Sequence, residues 1–241
     1  MDIKKAIDLT QRAQRNYDLS KTIPQEDLDL LIYAATQSPS KQNETHYSLE
    51  VFTDSNTIQG IVDNTKKFTL IKDSSDKEGL FGLDADGNYW QDKDRSVTNS
   101  QIHANSVFVF VRNEGDTRGG THELGKKNPD SKAGQLYNEN LSYSIGIAVG
   151  ELILTAGLLG YKTGICSAMD TRSLRDMLGL KHNPKLIVGV GYENIGTDRR
   201  LHSTVHNKDV APKFRTGEND DKWRFPSFEK CIPVKLNGKE Y

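Results

Sequence analysis

Cysteine is scarce in this chain. Cys166 and Cys231 are its two, too few for a disulfide scaffold and in keeping with a reducing compartment. An excess of charge of either sign is also missing, because 32 basic and 33 acidic residues leave a net charge of -1. A balanced chain exerts no global pull on nucleic acid or on an anionic membrane, so neither is an expected partner, and an anionic ligand must be held by local cations. The N-terminal stretch MDIKKAIDLTQRAQRNYD has no apolar run of the kind a secretory signal carries, which gives the expectation of a cytoplasmic protein. No G-x-S-x-G nucleophile elbow occurs, and Gly189, Gly191 and Gly196 miss the dinucleotide-binding spacing. Asp84-Ala85-Asp86-Gly87 brings its glycine too early for a calcium loop and reads as a turn. His202 and His206 are four apart but have no evident third ligand, and no metal is expected. Cys166 lies among apolar residues, where a thiol is inert. The side chains announce no acid, base or nucleophile.

What is present is organised around one apolar stretch, Tyr143 to Tyr161. Between Glu139 and Lys162 its single formal charge is Glu151, and Ile145, Val149, Leu152, Ala156 and Leu159 recur at helical spacing. Ser142, Gly146 and Gly150 form a small-residue stripe on which another backbone could approach. A carboxylate in mid-segment is costly in a bilayer, so the stretch reads as a helix buried in a core or at a subunit interface.

Around it, helices are expected from Ile3 to Arg15, from Pro24 to Gln37, near Ile58 to Phe68 and from Leu174 to Leu180. Strands are expected at Ser48 to Thr53, Ser106 to Val111 and Leu186 to Tyr192, with Ile165 to Ala168 a short strand or extended loop. SVFVFV at Ser106 has no polar alternation and suits a strand covered on both faces. Residues 112–135 are glycine-rich and charged, too long for an ordinary connector, and read as a lid or insertion. Residues 194–241 read as a polar arm with cations at Lys213, Arg215, Lys222 and Arg224.

Three blocks, in this order, are similar to those of the FMN-dependent nitroreductase family. Gln11-Arg12-Ala13-Gln14-Arg15-Asn16-Tyr17 resembles the family's opening Arg-Arg-Ser-x-Arg-x-Phe. Ser38-Pro39-Ser40-Lys41-Gln42-Asn43-Glu44-Thr45-His46-Tyr47 resembles its helix-terminating Ser-Pro-Ser-x-x-Asn-x-Gln-Pro-Trp. The long helix ending in Leu-Gly-Tyr, followed by Thr163 to Asp170 and Leu178-Gly179-Leu180, resembles its third block. The resemblance implies a single α+β domain over 1–241, with a mainly antiparallel mixed sheet flanked by helices and the long helix at the interface of a homodimer. It implies FMN as cofactor, NADH or NADPH as reductant, and ping-pong reduction of a small electron acceptor such as a nitroaromatic or quinone. Reductive dehalogenation, flavin breakdown or non-catalytic flavin binding are the other readings it leaves open.

By the same resemblance, Arg12 with Lys213 and Arg215 would hold the flavin phosphate, Lys222 and Arg224 being the fallback pair. Ala13 and Gln14 would line the opening segment, and Arg15 would lie near the flavin N1 and O2 edge. Pro39, Ser40, Lys41 and Asn43 would reach the flavin from the neighbouring subunit. Gln101 would contact ring or ribityl chain, with Thr98 or Asn99 assisting, and Ile165, Cys166, Ser167 and Ala168 would lie along the ring. The chain departs from the family pattern at Gln11, Ala13, Thr45, His46 and the neutral Gln101.

Overall fold

A computed structural model describes residues 2–65, 68–69, 96–97, 99–113, 128, 130–197, 235–236 and 239–240. The chain divides into two compact units, residues 1–67 with 97–205 and residues 68–96 with 206–241. The first unit opens with helices α1 (Ile3–Thr10) and α2 (Gln25–Thr36), strand β1 (Tyr47–Phe52) and helix α3 (Ser55–Asp63). Two-residue strands β2 (Phe68–Thr69) and β3 (Ser96–Val97) pair with each other. Then come β4 (Ser106–Arg112), the long helix α4 (Lys132–Leu159), β5 (Lys162–Cys166), α5 (Thr171–Leu178) and β6 (Pro184–Gly191). In the second unit β7 (Lys235–Leu236) pairs antiparallel with β8 (Lys239–Glu240).

The main sheet has the order β1-β4-β6-β5 and is antiparallel at every pairing. β4 is covered on both faces, as its unbroken apolar run requires. Phe108 and Phe110 enter one cluster with Leu31, Ala35, Leu141, Ile145, Ala148 and Leu152 of α2 and α4. Val107, Val109 and Val111 enter the other with Ile58, Ile61 and Leu174 of α3 and α5. Each such large side chain removed from water contributes about 1.5–3 kcal/mol. The result is an α+β layering with helices on both sides of one sheet.

The long helix differs from its sequence expectation in two ways. It begins at Lys132, where the Ser131 hydroxyl accepts from the Gly134 amide at 3.1 Å, and ends at Gly160, whose φ of 92° only glycine adopts without cost. The end of the supposed excursion at 112–135 is therefore its first turn, while 114–127 and 129 lie outside the described residues, as do Asp84 to Gly87, His202 and His206. The helix is also not buried all round. Tyr143 (63% exposed) and Ile147 (43%) face outward, and a Cβ on Gly146 or Gly150 would meet nothing within 4 Å. The close backbone approach is at Gly157 instead, where a Cβ would lie 2.5 Å from the Ala6 carbonyl of α1. α4 is long and apolar enough to cross a membrane by length and composition, and its inner face packs on α2 and the sheet.

Helix α1 stops at Thr10, short of the expected Arg15, and α3 stops at Asp63. Asp54 and Asp170 cap α3 and α5 by accepting backbone N–H bonds, from Thr57 at 2.8 Å and from Ser173 and Arg172 at 3.0 and 3.1 Å. These bonds favour the ionised form and lower both carboxyl pKa values. Their stabilisation is complete above the free Asp pKa of about 3.9 and is lost as pH falls through the lowered folded values. Replacing both with asparagine, which caps without ionising, should flatten the acid-side decline in urea midpoint measured from neutral pH down to about pH 2.5.

Candidate functional site

The opening motif is carried to the sheet by the close crossing of α1 over α4. Past the helix end, the Gln14 amide donates to the Thr163 carbonyl of edge strand β5 at 2.9 Å. Tyr17 then pairs with Glu193, and the Asp18 amide donates to the Tyr192 carbonyl at 3.0 Å. Residues 12–17 therefore lie along the β5 edge and the end of β6. Arg15 is buried, its guanidinium reaching the Ala13 carbonyl at 3.5 Å. The Gln14 carboxamide donates to the Asn16 carbonyl at 2.5 Å.

A short 3-10 turn, Ser100–Ile102, lies on the same part of the sheet. Its close seating depends on glycine. Gly164 and Gly189 are paired across β5 and β6, and a Cβ on either would come 2.3 or 2.7 Å from the Gln101 carbonyl oxygen. A Cβ on Gly191 would strike the Asn105 carboxamide at 2.1 Å. Asn105 anchors the exit of the turn, accepting from the Tyr192 amide and donating to the carbonyls of Asp18 and Lys21. The Asn99 amide anchors its entry by donating to Thr65 Oγ1 at 2.9 Å. The Gln101 carboxamide donates to the Ile165 carbonyl.

At the end of β5 the side chains alternate. Ile165 and Ser167 are exposed, whereas Cys166 points into the core. Burial pushes the Cys166 thiol pKa up to about 11, so it is an unreactive core group, and only its backbone can line a site. Burial likewise raises the pKa of Tyr17, with the nearby Arg15 opposing it.

The structure thus brings together Arg12, Ala13, Gln14, Arg15, Asn99, Gln101 and the segment Ile165 to Ala168. It does not bring Pro39, Ser40, Lys41 and Asn43 to them in one chain. That loop ends α2 and leads into β1, while Ile165 belongs to β5, and these are the two opposite edge strands. Three strand spacings, about 14 Å, separate the edges. The loop is well built: Ser40 Oγ donates to the Glu44 carbonyl at 2.7 Å, Ser38 and Tyr47 hydroxyls meet at 3.1 Å, and Asn43 takes a left-handed φ of 55°. Thr98, Lys213, Arg215, Lys222 and Arg224 lie outside the described residues.

The departure at His46 has a structural consequence. The buried ring contacts Ser144 Oγ of α4 through Nδ1 at 3.1 Å, and its Nε2 lies 3.1 Å from the Glu44 carboxylate. It locks the loop's far end to the long helix. A cavity of about 580 Å³ opens beside β1 and the α5–β6 turn, lined by Ser48, Glu50, Arg112, Asn113, Lys181 and His182 among others. It contains none of the expected cofactor residues. Among the described residues no cluster of three or more metal-ligating side chains occurs.

FMN fits the assembled residues on one observation. Arg12 Nε and Gln14 Oε1 are buried without a hydrogen-bond partner among the described residues, and orphaned buried polar atoms are costly unless a ligand satisfies them. A phosphate is the natural partner for the guanidinium.

A nitroreductase family model matches residues 9–192, and the chain belongs to the nitroreductase family, whose members are oxidoreductases. Solved structures share the fold. A protein described as a nitroreductase in complex with FMN, from Exiguobacterium sibiricum, is 14% identical, with 92% of this chain and 96% of that one covered and a TM-score of 0.55. A nitroreductase family protein from Streptococcus pneumoniae is 14% identical over 81% of this chain and 91% of its own, with a TM-score of 0.54. An FMN-dependent nitroreductase from Clostridium difficile is 15% identical over 81% and 90%, with a TM-score of 0.51. No curated protein matches the chain.

Two features were missed in the sequence: the glycine pair under Gln101 and the Tyr17–Gln101 contact. Gly164 and Gly189 carried a usable signal, since glycine inside a strand marks a close backbone approach. The Tyr17 contact spans 84 positions and has no local signature.

Proposed function

We propose that this protein is an FMN-dependent oxidoreductase that uses NADH or NADPH to reduce nitroaromatic or quinone-type acceptors, and that it works as a cytoplasmic homodimer. The observation that carries this reading is that Arg12 to Arg15, Gln101 and Ile165 to Ala168 meet along the β5 edge, with Arg12 Nε buried and unpartnered among the described residues. When bound, FMN would supply the hydride- and electron-transfer chemistry between a nicotinamide and the acceptor. The chain's own residues bind and orient. Arg12 neutralises phosphate charge, with Lys213 and Arg215 or Lys222 and Arg224 assisting. Arg15, held by its bond to Ala13, favours negative charge at its end of the site. The backbone of Ile165 to Ala168 offers an exposed edge for the ring. No side chain is required as acid or base.

Two observations support the dimer. Tyr143 and Ile147 expose an apolar stripe on α4 beside Gly146 and Gly150, where a Cβ would meet no described residue within 4 Å. The Pro39 to Asn43 loop lies at the wrong edge of the sheet for its own chain's site, so a twofold partner is what would bring it there. Ile147→Glu would face its own copy near the axis. In sedimentation it should run as a monomer and bind FMN at least tenfold more weakly; a dimer with unchanged affinity would place the interface elsewhere.

The reaction is tested by anaerobic titration of the FMN-loaded protein with NADH or NADPH. The flavin band should bleach stoichiometrically and return on adding a quinone or nitroaromatic. A yellow protein that neither nucleotide bleaches would instead be a flavin-binding protein without this activity.

A further inference from the structure

We propose that Tyr17 is a positioning residue whose hydroxyl fixes the Gln101 turn and, through the Gln101 carboxamide, the exposed Ile165 to Ala168 backbone. The Tyr17 ring is buried, and its hydroxyl donates to the Gln101 carbonyl at 3.1 Å. That carbonyl sits over the bare Gly164–Gly189 pair. The glycines provide the space for close seating but no bond to the oxygen, and Tyr17 provides the bond. Once the backbone of Gln101 is fixed, its side chain has one defined reach, to the Ile165 carbonyl.

The chemistry of that second bond fixes the amide's orientation. A carbonyl only accepts, so the NH2 end of Gln101 must face Ile165, and its oxygen is left as an acceptor at the site. The neutral Gln101 thus becomes an oriented amide. The opening motif and the ring-facing segment are linked twice, by the Gln14–Thr163 backbone bond and by the Tyr17–Gln101–Ile165 series. Tyr17 touches no ligand in this scheme and acts through Gln101. The consequence for flavin rests on the function proposed above; the coupling within the chain does not.

The test is amide hydrogen exchange on the full-length protein without flavin, paired with FMN titration. Tyr17→Phe removes a single oxygen and keeps the packed ring. Amides of 99–103 and 163–168 should exchange about fivefold faster, the scale of one lost hydrogen bond, while those of β4 and α4 stay unchanged. Gln101→Glu keeps the shape but replaces the donor with an acceptor, so it should loosen 163–168 and leave the turn's own amides protected. Both variants should weaken FMN binding about fivefold or more. Unchanged exchange at 163–168 in Tyr17→Phe overturns the proposal whatever happens to FMN. Faster exchange there in Tyr17→Phe, together with a wild-type protein that ignores FMN, upholds the coupling and removes the flavin reading instead. If Tyr17→Phe loses its fold, Gln101→Glu decides alone, and unaltered protection of 163–168 overturns the proposal.

Discussion

Arg12→Ala should lower affinity for FMN by roughly ten- to a hundredfold while leaving the melting temperature within a few degrees. Hydrogen bonds to a charged group contribute about 1.5–3 kcal/mol each, and each 1.4 kcal/mol is tenfold in affinity. The guanidinium emerges just past the α1 end, and its Nε is buried without a partner among the described residues. Removing it therefore breaks no bond among the described residues but takes away the cation proposed to meet the phosphate. Arg12→Lys, which keeps the charge and loses the planar fork, should recover part of the loss. Fluorescence titration of FMN at low and high salt separates the two contributions, since the charge component is the one that salt weakens. An Arg12→Ala protein that binds FMN like the wild type would take the phosphate away from this end of the chain.

Gly164→Ala should cost about 1–3 kcal/mol, the scale of an overpacked interior, and should impair flavin binding as well. The added methyl would lie 2.3 Å from the Gln101 carbonyl oxygen and 2.8 Å from its Cβ. Neither can move alone, because the turn is fastened at Asn99, Asn105 and Tyr17. The turn must rise off the sheet, taking Gln101 away from Ile165. Gly146→Ala, read in the Ile147→Glu monomer, is the contrasting case: among the described residues of the chain nothing lies within 4 Å of the new methyl, and alanine is the better helix former by about 1 kcal/mol. In thermal melts the first variant should be destabilised and the second not, at equal chemical change. Equal melting temperatures would mean that the glycine pair does not set the height of the turn.

The layering of the fold was legible because its signals are local. SVFVFV announces a strand covered on both faces, and the Leu31, Ala35, Ile145, Val149 and Leu152 spacings mark the helix faces that cover it. The Ser-Pro-Ser stop and the glycine after α4 set boundaries within a residue or two. What escaped depends on long-range register. The small stripe of α4 suits a close approach in the core or at a subunit interface, but within the chain the close crossing is at Gly157, with α1. The start of α4 at Lys132 was hidden by charged residues that lie on its solvent side. Arg12, Arg15, Gln101 and Ile165 to Ala168 were proposed from the order of motifs, but their common location is a property of the antiparallel pairing of β5 with β6. Cys166 shows the limit of a motif: its position matches, yet alternation along the strand turns its side chain into the core.

The account as a whole stands or falls on a titration of the purified, full-length protein with FMN, read by flavin fluorescence and sedimentation in the same samples. It predicts a yellow dimer that takes up one FMN per chain, with quenched or shifted flavin emission. Colourless protein that sediments as a monomer and leaves added FMN unaltered would contradict it.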